Sequence, residues 1–162
     1  MNKHRAKPLH KDGLWRGVRS WLLSHAPGNA LAPGGIHAPP RTPPTAELDT
    51  EALRDLHAAV GPERAPLLLA DFVRDTAARV ARMRACTETP GSVVDWAVLA
   101  REAHDLSGNA GSFGLTRLGD LAHRLRGVIE ARDEVALRDA IAHLVECAQV
   151  DLAHLANWAQ PE

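Results

Sequence analysis

The sequence predicts an all-α fold: an antiparallel up-down four-helix bundle with a short additional N-terminal helix across one end. Three observations carry this. Apolar residues recur at helical spacing through nearly everything after Glu47. No run alternates as a half-buried strand must. The breaks between long periodic stretches are short, which favours antiparallel neighbours. A chain of 162 residues, 45% of them hydrophobic, is long enough to bury a core.

Each element has a local reason. Asp49 is placed to cap a first short helix that runs to Val60 and stops at Gly61-Pro62. A second helix is expected over 63–85, with Leu69, Phe72, Thr76, Val80 and Met83 on one stripe. The stretch "TETPGS" then breaks the chain. Ser92 with Asp95 three residues on resembles a capping box and opens a third helix. Its stripe is Trp96, Leu99, Ala103, Leu106, Ala110 and Phe113. Gly114 ends or bends that helix, and Thr116 is positioned to cap the next, whose inward side is Leu118, Leu121, Leu125 and Val128. Asp133 caps a last long helix carrying Leu137, Ile141, Leu144, Ala148, Leu152 and Leu155.

Ahead of this body, residues 26–46 hold six prolines and three glycines, a composition that reads as an extended linker. The chain therefore divides into a basic segment 1–25, the linker 26–46 and a helical domain 47–158. In "LWRGVRSWLL", Leu14, Trp15, Val18, Trp21 and Leu22 share one face, with Arg16 and Arg19 on another. That suits a short amphipathic helix docking on a partner, on the bundle or, least favoured, on an anionic membrane, while its shortness and Gly17 equally suit a segment disordered in isolation. Residues 1–25 carry a local charge of +5 within a chain of net −1, which leaves −6 on the remainder. A negative main body argues against nucleic-acid binding.

Other classes of chemistry are thin. Cys86 and Cys147 form no motif, so a reduced, cytoplasmic setting is expected. The longest apolar block, 65–70, is too short to span a membrane and contains Pro66. There is no H-E-x-x-H, C-x-x-C, P-loop or G-x-G-x-x-G. His57, His123, His143 and His154 lack metal-ligand spacing, and neither a metal nor a resident cofactor is expected. Trp96 and Trp158 read as core or bundle-end packing, and Asp71, Asp75, Arg79 and Arg84 as the solvated face of the second helix.

The informative stretch is "AHDLSGNAGSFG", residues 103–114. Glycine in a helix interior costs roughly 1 kcal/mol relative to alanine, yet two interior positions here are glycine. On a continuous helix, His104, Ser107, Gly108, Gly111 and Ser112 fall at i, i+3, i+4, i+7 and i+8, opposite the apolar stripe. The histidine then stands above a low shelf of small residues that opens the backbone to close approach. A solvated histidine beside residues that pack against another helix would share this pattern.

These residues resemble the histidine-containing phosphotransfer domains of bacterial two-component phosphorelays. The family signature, approximately H-x-L-K-G-[small]-[small]-x-x-[apolar]-G, stands here as His104, Leu106, Gly108, Asn109, Ala110, Phe113 and Gly114. The resemblance covers about residues 47–157, with "ELDTEALRDL" similar to the opening helix and Phe72 to a usual phenylalanine. It implies that His104 is a phosphoacceptor and that Ser107, Gly108, Gly111 and Ser112 form a docking shelf. The implied partners are response-regulator receiver domains, with a hybrid histidine kinase as a further candidate, and the chain is expected to be monomeric. Mg²⁺ and the catalytic groups would belong to the receiver. The resemblance thus implies a phosphoryl carrier rather than an enzyme. Where the family usually has lysine, this chain has Ser107, so a module that binds a receiver without being phosphorylated also stays open. A helical adaptor working through its tryptophan-bearing arm is a third possibility.

Overall fold

A computed structural model describes residues 45–88, 91 and 93–159. The segment 1–25, nearly all of the linker and Ser92 of the expected capping box lie outside the described residues. Within them the chain forms five helices and a short 3₁₀ turn, with no strand.

Helix α1 (Thr50–Val60) begins where expected, because the Asp49 carboxylate accepts from the N–H groups of Glu51 and Ala52, both at 3.1 Å. Helix α2 (Ala65–Glu88) starts two residues later and ends three residues later than the expected span of 63–85. Pro66 sits in its first turn, where a missing N–H breaks no intrahelical bond. Helix α3 (Trp96–Asn109) is capped by Asp95, whose side chain accepts from Val98 N–H at 3.1 Å. The chain then tightens into a 3₁₀ turn, Ala110–Phe113, instead of continuing as α-helix to Gly114.

Helix α4 (Thr116–Ala131) corrects a second expectation. Leu115, not Thr116, occupies the N-cap position, and no side chain caps it. Gly114 reverses the chain in one residue, and the buried Leu115 is pinned by its N–H to the Ala110 carbonyl at 2.9 Å, so Thr116 falls inside the helix. The buried line of α4 is Leu118, Ala122, Leu125 and Ile129, with Leu121 and Val128 only half-buried. Helix α5 (Glu134–Trp158) is capped by Asp133, which accepts from Val135 and Ala136 N–H at 3.0 Å. All six residues expected on its stripe are buried.

Packing closes a ring: α2 lies against α3 and α5, and α4 against α3 and α5. Leucines from every helix are fully buried at its centre, each side chain contributing on the order of 1.5–3 kcal/mol. Short α1 lies on the 3₁₀ turn and touches α2. Asp49 N–H donates to the Gly114 carbonyl at 2.8 Å, so α1 sits directly on the joint that ends α3. A second tie holds the chain just before α1. The buried Asp151 carboxylate accepts from Arg117 and from Glu47 N–H, while Arg117 also donates to the Thr45 carbonyl. Burial pushes the Asp151 carboxyl above its ordinary range despite the guanidinium beside it.

Candidate functional site

Helix α3 has two unlike sides. On one, His104, Gly108, Gly111 and Ser112 are exposed and Ser107 is half-buried. A Cβ added at Gly108 or Gly111 would meet nothing within 4 Å. The glycines therefore do not serve helix packing, and the space beside the imidazole is open. Gly111 and Ser112 lie in the 3₁₀ turn, which makes about 3 rather than about 3.6 residues per turn. The shelf consequently bends away from the straight i+7 and i+8 strip that a continuous helix would give. The Ser107 hydroxyl does not stand over the shelf either: it donates back to the His104 carbonyl at 2.8 Å.

The other side is locked by charge. Glu102 is only 2% exposed and is held by two arginines of α2. Arg82 forks onto both carboxylate oxygens at 3.1 Å. Arg79 Nη1 bridges Glu102 Oε2 and Asp105 Oδ2, each at 2.9 Å. Burial alone pushes the Glu102 carboxyl up, but Arg82 and Arg79 outweigh it and hold the group below its ordinary range. Asp105, next to His104, is thereby turned toward α2. Arg79 is thus a bridge between helices and not part of the wet face expected of it. Asp71 and Arg84 do fit that description, in exposed pairs with Arg74 and Glu88.

Two further contacts set the height of the shelf. The rings of Phe72 and Phe113 stack at 3.8 Å, tying the 3₁₀ turn to α2. Gly119 of α4 brings that helix close to α3, where a Cβ would meet Ala110 Cβ at 3.5 Å and the Ser107 carbonyl at 3.8 Å. Sequence reasoning missed the Glu102 network. Its signal was a carboxylate between Leu99 and Leu106 on the buried side of α3, with basic residues at 79 and 82 on the preceding helix.

Elsewhere, α1, the first turns of α2 and the end of α5 enclose a groove of about 460 Å³, lined among others by His57, Pro62, Pro66 and Trp158. The His57 and Trp158 rings meet edge-on at 6.4 Å. Trp96 packs partly against the core beneath the Arg132 guanidinium, 5.4 Å from the ring centre. Both tryptophans are packing residues, as their spacing suggested. Cys86 and Cys147 are free, and His143 reaches only Cys147 Sγ at 3.9 Å. Among the described residues no three His, Cys, Asp or Glu side chains converge as a metal site, and no helix is long and apolar enough to cross a membrane.

The family model of the Hpt domain matches residues 67–158. The match runs from the first turn of α2 to the end of α5, takes in His104 and the whole shelf, and leaves α1 outside. No curated protein and no solved structure matches the chain. Because the family model covers more than half of it, the chain belongs to the Hpt domain family, the phosphocarrier modules of two-component phosphorelays.

Proposed function

We propose that this protein is a phosphorelay intermediate that carries a phosphoryl group on His104, presented by an antiparallel up-down four-helix bundle. The observation that carries the proposal lies within the matched segment: an exposed imidazole whose small neighbours leave the backbone of α3 accessible. Neutral imidazole is nucleophilic near neutral pH without a general base. Nε2 of His104 attacks the phosphorus of an aspartyl phosphate on a receiver domain. The N–P bond forms, the P–O bond to the aspartyl carboxylate breaks, and the proton on Nδ1 can pass to water. The reverse sequence delivers the phosphoryl group to a second receiver.

Docking uses Ser107, Gly108, Gly111 and Ser112. Mg²⁺ and the acidic groups that hold it come from the receiver, and this chain supplies the nucleophile and the surface. The protein acts as a cytoplasmic monomer, with receiver domains as partners, a hybrid histidine kinase as a further one, and no nucleic acid. A second reading is a module that binds receivers without accepting phosphate. It is favoured by the Ser107 hydroxyl, which is engaged with the His104 carbonyl where the family usually offers a lysine.

Incubation with ³²P-labelled phospho-receivers from the same genome separates the two. Relay function predicts transferred label that is acid-labile, alkali-stable and absent from His104→Gln. Receiver binding with no transferred label would support the second reading and overturn the first.

A further inference from the structure

A phosphoryl group on a side chain brings a charge of about −1.5 to −2 and three acceptor oxygens to the surface of α3. Three side chains of this region are already engaged elsewhere. The Ser107 hydroxyl is donated to the His104 carbonyl. Arg79 is divided between Glu102 and Asp105, and Arg82 forks onto Glu102.

Arg101 is different. It lies three residues before His104 on the same exposed side of α3, the spacing at which helix side chains become neighbours. Side chains on a helix lean toward its N-terminus, so the imidazole leans over the turn that carries Arg101. The Arg101 side chain is 69% exposed, and its recorded ion pair is a 3.7 Å approach to Glu102 Oε1. That distance exceeds the roughly 2.7–2.9 Å of a charge-assisted hydrogen bond. Glu102 keeps Arg79 and Arg82 when Arg101 departs, so releasing this exposed contact costs little.

We propose that Arg101 is the phosphoryl-binding cation of this site, swinging from Glu102 to the phosphoryl oxygens once His104 is phosphorylated. Its planar fork can meet two of those oxygens at once. Supplying the cation from the N-terminal side of His104 leaves the opposite side, Gly108 to Ser112, low and unobstructed for a docking partner. The inference rests on His104 as the phosphorylated residue.

The competing cation is Arg126 on α4. It is half-buried, and it lies two turns along from Gly119, which packs against α3. Potassium phosphoramidate separates the two, because it phosphorylates histidine without a receiver. The N–P bond of the reagent breaks, ammonia leaves, and the phosphoryl group passes to Nε2, so any stabilising cation belongs to this chain. The equilibrium occupancy of His104 at a fixed ratio of phosphoramidate to ammonia is read as the ³¹P resonance that is absent from His104→Gln.

Arg101→Ala is expected to lower the equilibrium constant about threefold at low salt, as an exposed charge pair should. Arg101→Lys should retain most of the wild-type value, and Ser107→Lys should restore it on the Arg101→Ala background. The difference should fade at 0.5 M salt. An unchanged constant in Arg101→Ala, or a loss in Arg126→Ala instead, would overturn the assignment. Failure of the relay reading shows separately, as absent transfer from phospho-receivers while phosphoramidate still labels His104.

Discussion

Gly108 and Gly114 stand on the same short segment and are glycine for opposite reasons. Gly108 is exposed, with open space where a side chain would go. Gly114 is buried with φ 73°, and a Cβ there would lie 2.8 Å from the Asp49 carbonyl and 2.9 Å from Leu53 Cγ. One glycine keeps a surface empty; the other lets α1 close on the joint that ends α3. A glycine-rich signature is thus two statements, one about access and one about folding, and only the packing around each position tells them apart.

The largest effect should come from the buried member. Gly114→Ala combines a left-handed backbone with two hard contacts, one of them to backbone that cannot yield, and should destabilise by about 3 kcal/mol. Thermal or denaturant unfolding measures this directly. Gly108→Ala is the companion measurement, expected to be neutral or slightly stabilising because α-helical backbone favours alanine. Equal losses in the two variants would erase the distinction.

The next effect sharpens the contrast between the two sides of α3. Glu102 is held below its ordinary carboxylate range, so its pairing stabilises the fold above the unfolded-state value, about 4.3, and that contribution is lost as pH falls through the lowered folded-state value. Glu102→Gln should cost about 2 kcal/mol at pH 7, and the gap to wild type should narrow below about pH 4. Asp151, raised by burial, works in the opposite sense. A gap that stays constant from pH 7 to pH 3 would mean that the Glu102 network is not an ionic lock.

The smallest effect on stability should accompany a large effect on transfer. Gly108→Glu places bulk and negative charge one turn from His104, at a position where an added Cβ meets nothing within 4 Å. Unfolding free energy should change by less than about 1 kcal/mol, since glutamate is the better helix former. Transfer from phospho-receivers should collapse. A folded variant that transfers at the wild-type rate would show that the open shelf is not where a receiver docks.

Much of this was legible in the chain. Asp49 and Asp133 cap the helices they are expected to open, because capping joins a side chain to N–H groups two or three residues away. Helix α3 departs from its expected capping box: Asp95 is itself the N-cap, and residues 93–95 stay outside the helix. The stripe of α5 is buried as its period demands, and His104 and Gly108 are exposed opposite the stripe of α3, with Ser107 half-buried between them. Such features follow from local spacing, which the order of residues determines by itself. What only the tertiary structure decided joins residues far apart in the chain. Arg79 and Arg82 meet Glu102 and Asp105 across separations of 20 to 26 residues, and Arg117 meets Asp151 across 34. Gly114 must be glycine because Asp49 and Leu53 come to rest on it. Those meetings depend on how far one helix slides and turns against another, a choice made by the whole core, and no local spacing encodes it.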